Sequence, residues 1–178
     1  MFNFSSGPSE IERLLQTEKT FSDWPVWQSI GDSIDGAFSF ATGVAIGGVS
    51  APGVRVRSIA SRGLPARDLI VQLEILCDRN WAHACRLEYL PVRGHFNPFN
   101  RRDLPRTIGA GISHIHRFAD NWAYGGLSAL SPTANLPVAR ALEPPPSSVK
   151  NFFRIVAAEI GIPDFENIEP PRWQGRLL

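Results

Sequence analysis

In ISHIHRF, His114 and His116 stand one residue apart, and a third histidine, His95, opens HFNPFN earlier in the chain. In a strand, residues two apart project from one face, so both imidazoles share a face with Ile112 and Phe118 as expected neighbours. Burial disfavours the charged form of an imidazole and a second imidazole disfavours it further, so one of such a pair can act as a neutral base near pH 7. Acid and base groups of this kind contribute about 10²–10⁴-fold each. His95 and His116 are accordingly expected to be the acid and base of a phosphodiester-cleaving site, with His114 orienting them. Arg101 and Arg102, in a window that also holds Arg93 and Arg106, are expected to contact phosphate. Asn97, before Pro98, is expected to position substrate beside His95. A plain Asn-Pro turn and solvated loop charge are the structural alternatives for these residues.

The same three histidines could instead close a zinc site if the intervening loop folds back, since three imidazoles suffice for a catalytic zinc. A cupin-like pattern would follow His-x-His with an acid, for which Asp120 is suitably placed. It also needs another histidine in a later strand, and none follows His116. With Asp103 and Asp120 as the nearby acids, the site is expected to work without metal or other cofactor. His83 lies between Trp81 and Cys85 on the apolar side of a predicted strand, which makes it a hydrogen-bonded core residue outside the site.

The elements that must position these groups are readable from period. SSGPSEIERLLQTEKTF predicts a short amphipathic helix from about Ser9 to Lys19. From residue 35 the period becomes two, with Phe38, Phe40, Val44 and Ile46 on one face, then Val54 and Val56 opposed to Arg55 and Arg57. DLIVQLEILC, DRN and WAHACRLEYL read as a hairpin. Leu69, Val71, Leu73, Ile75 and Cys77 line one face of its first strand. Trp81, His83, Cys85, Leu87 and Tyr89 line the matching face of the second, leaving Glu74, Arg86 and Glu88 on the other side. PVRGHFNPFNRRDLPRTIGAG is a long loop of the kind that is usually functional. It is expected to fold over the histidine face with Phe96 and Phe99 packed beside Phe118, which brings His95 to the pair. VKNFFRIVAAEIG predicts a final helix capped by Ser147 or Ser148 and closed by Gly161. The expected fold is α+β: a four- or five-stranded, mostly antiparallel sheet with an N-terminal helix and a C-terminal helix packed on one face. Residues 1–178 form one domain, and the proline-rich tail, 163–178, is expected on the surface with Trp173 as an anchor.

A hydrophobic content of 43% and a charged content of 20% place the chain among folded globular proteins rather than disordered or fibrous ones. A formal charge of +1 gives no whole-molecule attraction to nucleic acid or an anionic membrane. Cys77 and Cys85 are expected to be out of register for a bridge and therefore free thiols, in keeping with a cytoplasmic protein without a membrane segment or signal peptide.

From the hairpin to the last helix, roughly residues 69 to 160, the chain resembles an uncharacterised family of small bacterial and phage-borne proteins. The resemblance rests on His95, Asn97 and Pro98, then Ser113, His114, His116 and Phe118, then Trp122 and Ala123. In place of an acid-lysine pair before the tryptophan, this chain has Asp120 and Asn121. The resemblance implies a site at these positions and no particular chemistry. Two functions follow as expectations: a toxin-like ribonuclease acting on RNA or another phosphate-bearing ligand, or a non-catalytic module that binds a protein partner, such as an inhibitor of a host defence complex.

Overall fold

The computed structural model describes residues 8–31, 36–77, 79–98, 102–126, 128 and 136–173. Its frame is an antiparallel meander of β3 (Ala37–Ile46), β4 (Val49–Ser61), β5 (Leu69–Cys77) and β6 (Asn80–Tyr89), extended beyond β6 by β9 (His114–Arg117). Directly opposed residues share a face, so register builds rows across the sheet. Ser58, Val71, Leu87 and Ile115 form one such row, and Val56, Leu73 and Cys85 another. All of them are buried. The helix α3 (Val149–Ile160) lays Phe152, Phe153, Val156 and Ile160 into the same core. Each such side chain stabilises the fold by about 1.5–3 kcal/mol relative to exposure.

The opposite face is polar and runs through Arg55, Glu74 and His83, then Arg57, Gln72, Arg86 and His116, then Glu88 and His114. It is the face that carries the site.

The expected α+β class is found. Among the described residues, however, the main sheet has eight strands rather than four or five, in the order β1–β3–β4–β5–β6–β9–β10, with β2 also paired to β3. The added strands β1 (Thr20–Phe21), β2 (Gln28–Ile30) and β10 (Arg140–Ala141) are too short to show a period of two in sequence. Two further strands, β7 (His95–Phe96) and β8 (Thr107–Ile108), form a separate ribbon.

The hairpin departs from simple alternation at one residue. Leu73 faces Cys85 as expected, but Glu74 faces His83, which leaves Ala84 as an extra residue in β6. Such a bulge reverses the facing of everything beyond it. Ala82 therefore takes the core side. Trp81 and His83 move to the polar face, where the Arg55 guanidinium lies 3.9 Å from the Trp81 ring centre and His83 Nε2 lies 3.4 Å from Glu74 Oε1. His83 is thus an ion-pair neighbour and not a core histidine. Cys77 faces Asn80 near the turn and is half-buried, whereas Cys85 is buried; the two are not bridged to each other.

The helix α1 (Pro8–Gln16) ends earlier than expected because Lys19 folds back onto its last turn. Lys19 is 1% exposed, and its Nζ donates to Leu14 O (2.6 Å) and Thr17 O (2.5 Å). A cation there complements the partial negative charge of a helix C-terminus. Gly161, the left-handed residue that closes α3 (φ 65°), abuts the same spot, and a Cβ on it would lie 2.7 Å from Thr17 O. Ser148 caps the other end of α3, its side chain accepting from Asn151 N.

The tail does not stay on the surface. Pro163–Asn167 forms a short 3₁₀ helix, and Phe165 and Ile168 are core residues. Phe165 packs edge-on against Phe153 at 5.2 Å. Trp173 Nε1 donates to Ser61 O (2.9 Å), while residues 174–178 lie outside the described part. No helix among the described residues is long and apolar enough to cross a membrane.

Two measurements check this account. Lys19→Met, which leaves at least two carbonyls without a donor, should lower the free energy of unfolding in urea by about 2–4 kcal/mol. Burial pushes the Cys85 thiol up to about 12, so at pH 8 a thiol reagent should label Cys77 in the native protein and reach Cys85 only after denaturant is added.

Candidate functional site

The register of β6 against β9 places Glu88 opposite His114 and Arg86 opposite His116, on the polar face. His114 and His116 thus share one face, as their spacing requires, and are 1% and 0% exposed. Their expected neighbours are not both there: Ile112 is exposed, and Phe118 is a core residue stacked on Trp122 at 5.6 Å. Alternation stops at Arg117 because Phe118 opens the helix α2 (Phe118–Gly125).

The long loop does fold back. His95 arrives with its ring centre 5.4 Å from His114 and 4.7 Å from His116, while the latter two are 5.1 Å apart. The anchoring differs from expectation. Phe96 is exposed beneath the Arg106 guanidinium, and Phe99 lies outside the described residues. The β7–β8 ribbon aligns His95 with Ile108, and Gly94 allows it, since a Cβ there would meet Ile108 O at 2.9 Å. Asn97 then fastens the loop. Its amide donates to Pro105 O (2.8 Å) and Ala139 O (3.0 Å), and its oxygen accepts from Ala139 N (2.8 Å). At 2% exposure it positions the loop, and its Oδ1 lies 3.2 Å from His95 Nε2.

The segment from Leu136 to Ala139 props the whole cluster. His116 Nδ1 donates to Leu136 O (2.6 Å), and His95 Nε2 to Pro137 O (3.0 Å). Asn121, fully buried in α2, brackets Val138, accepting from its N–H (2.7 Å) and donating to its carbonyl (2.8 Å). Leu136 has φ 51°, a conformation that costs an L-residue about 1–2 kcal/mol. Complete burial of its side chain and the bond to His116 hold it there.

These bonds fix tautomers. His114 Nδ1 donates to Ile112 O (2.9 Å), so in each neutral ring one nitrogen is committed to a backbone carbonyl and the other carries a lone pair. For His116 that lone pair, at Nε2, accepts from Arg86 at 2.8 Å. For His114 it is Nε2, buried and without a hydrogen-bond partner. The Glu88 carboxylate faces both, with Oε1 3.5 Å from His116 Nε2 and Oε2 3.7 Å from His114 Nε2. One nitrogen from each of His95, His114 and His116 lies within 4.8 Å of the others.

Burial raises the Glu88 carboxyl, but the Arg86 charge beside it opposes this and holds the group below the usual carboxylate range. Arg86 Nε lies 3.0 Å from Glu88 Oε1. Burial also pushes His95 down, and it pushes His116 down to about 3, with Arg86 adding to the effect and Glu88 opposing it. His95 and His116 are therefore neutral imidazoles beside an ionised carboxylate at neutral pH.

The cluster opens onto a pocket. Glu88, His95 and His114, together with Asp68 and Arg93, line a pocket of about 410 Å³. His116 is not among its lining residues. Of the arginines expected to hold phosphate, Arg102 is exposed and does not line the pocket, and Arg101 lies outside the described residues. Asp120 and Asp103 are both engaged by Arg140 (2.8 and 2.9 Å) and are not site acids. Glu88 and Arg86 are the residues that sequence reasoning missed. The signal was their place on the polar side of β6, which becomes the site once ISHIHRF pairs beside that strand.

Comparison with family models, with curated proteins and with solved structures finds no match.

Asn97→Ala should lower stability by about 2–4 kcal/mol, because it orphans a buried N–H and two carbonyls. It should also release His95, seen as a change of that ring's NMR signals with those of His114 retained.

Proposed function

We propose that the protein is a metal-dependent enzyme whose divalent ion is held by His95, His114 and His116, and which acts on a phosphate-bearing substrate entering through the adjoining pocket. The observation that carries this reading is at His114. Its Nε2 is buried, bears a lone pair, has no hydrogen-bond partner, and faces a carboxylate oxygen 3.7 Å away. Two electron-rich atoms turned toward each other in a buried place are mutually repulsive, and burying an unsatisfied acceptor costs about 1–3 kcal/mol. A bound cation relieves both. The carbonyl bond on the far nitrogen of each ring supports the same reading, because metal-ligating histidines are oriented in this way.

The cofactor-free mechanism expected from sequence fares less well. His116, one half of the expected acid–base pair, is fully buried, with Nδ1 on Leu136 O and Nε2 against Arg86. It does not line the pocket. A metal ion would supply what that pair was asked to do, by acidifying a bound water and polarising a phosphoryl oxygen. Arg93 on the pocket lining is suited to the remaining phosphate charge.

The test is direct. Metal-free protein incubated with zinc, manganese, cobalt or nickel and then desalted should retain about one ion per chain, and His114→Ala should retain none. The loaded protein should hydrolyse a phosphodiester such as bis-nitrophenyl phosphate, and chelation should abolish this. Absence of retained metal from all four ions would end the reading. Retention without hydrolysis would leave a metal-binding module and remove the enzyme.

A further inference from the structure

Glu88 stands apart from the other charged groups of the polar face. Its carboxylate is mostly buried and turned toward the Nε2 atoms of two histidines, 3.7 Å from that of His114 and 3.5 Å from that of His116. The 3.5 Å contact with His116 Nε2 is long for a hydrogen bond. It has no proton to share, since the His116 proton is committed to Leu136 O. Among the described residues, Arg86 offers Glu88 positive charge directly, at 3.0 Å. Glu88 also lines the pocket alongside His95 and His114, which puts it on the open side of the cluster.

We infer, resting on the metal reading above, that Glu88 is a fourth protein ligand, and that the positions left over face the pocket and take an oxyanion through two oxygens. Three imidazoles and a carboxylate suit an ion that prefers six ligands, such as manganese, iron or cobalt, more than a closed four-ligand zinc site. Four protein donors then leave two places, and the pocket bordered by Glu88, His95 and His114 is where they open. Charge selects the occupant. A divalent ion brings two positive charges, Glu88 cancels one and Arg86 restores it, so the loaded centre is dicationic in a partly buried place. An anion with two adjacent oxygens, a phosphate or a dicarboxylate, satisfies both the charge and the vacant positions. Arg86 is a positioning residue in this scheme: it fixes the Glu88 carboxylate, and in the metal-free protein its NH₂ group lies against the His116 nitrogen that the ion would take. Loading therefore requires that guanidinium to withdraw from His116 while it keeps Glu88.

Cobalt(II) is the probe, because its visible bands are weak with six ligands and intense with four. Full-length metal-free protein titrated with cobalt should bind about one ion per chain with weak bands. Glu88→Gln should bind at least tenfold more weakly, with an altered spectrum. Adding inorganic phosphate or oxalate to the loaded wild type, in separate arms, should shift the bands and saturate at about one anion per ion. Should Glu88→Gln fail to fold, X-ray absorption at the cobalt edge of the unmutated protein decides the matter: six light neighbours including three imidazoles are expected. Wild-type protein that takes up no cobalt overturns the metal reading itself. Cobalt bound by Glu88→Gln with unchanged affinity and spectrum overturns Glu88 as a ligand while leaving the three histidines, and a four-coordinate edge in the wild type overturns the two open positions. A loaded centre that ignores both anions overturns the oxyanion assignment.

Discussion

The run of peptide groups from Leu136 to Ala139 is the constraint on which the site depends. Each of its residues is taken by a different side chain: Leu136 by His116, Pro137 by His95, Val138 by Asn121 and Ala139 by Asn97. Backbone groups buried outside a regular ladder must find partners or forfeit about the cost of a hydrogen bond each. Here the partners are the functional histidines and the two asparagines that orient their loops. The segment thereby sets which nitrogen of His95 and of His116 keeps a proton, and it joins the β7–β8 ribbon, β9 and α2 into one rigid corner. Rotating either ring would strand a carbonyl, so the side chains are placed by the backbone's need as much as by their own.

Electrostatics completes the arrangement. A carboxylate, a guanidinium and three imidazoles gather on one face of the sheet, and burial works against the charged forms of Glu88, Arg86, His95 and His116. Glu88 and Arg86 tolerate the position because they neutralise one another at hydrogen-bonding distance. Removing one partner of such a pair typically costs more than the pair itself contributes. The helix-covered face carries no comparable constraint. It is filled by Val, Leu, Ile and Phe from the meander and α3, and it supplies the free energy against which the polar corner is held.

The parts of this fold legible in sequence were those with a sustained period. The pairing of β5 with β6, the shared face of His114 and His116, and the amphipathic stripe of α3 all follow from spacing, as does the return of His95 by a loop whose two ends lie on neighbouring strands. What escaped has local physical reasons. A single added residue at Ala84 exchanged the faces of Trp81 and His83, and no side chain announces a bulge. Strands of two residues have no period. Glu88 and Arg86 read as solvent-facing charges until β9 is laid beside them, because pairing partners are not encoded by one strand alone. The prop at 136–139 has neither periodicity nor chemistry-bearing side chains, and its importance lies in carbonyls that every sequence possesses.

The prop also orders events in time. Synthesis runs from the amino terminus, so the chain has delivered Glu88, His95, His114 and His116 before Leu136 and Pro137 emerge. Until then the imidazoles of His95 and His116 lack their carbonyl partners, and nothing selects one ring nitrogen over the other. Competence of the cluster is thus deferred to the arrival of a segment that contributes no side chain to it, and a ribosome-bound fragment ending before residue 136 possesses all of the reactive groups without their alignment.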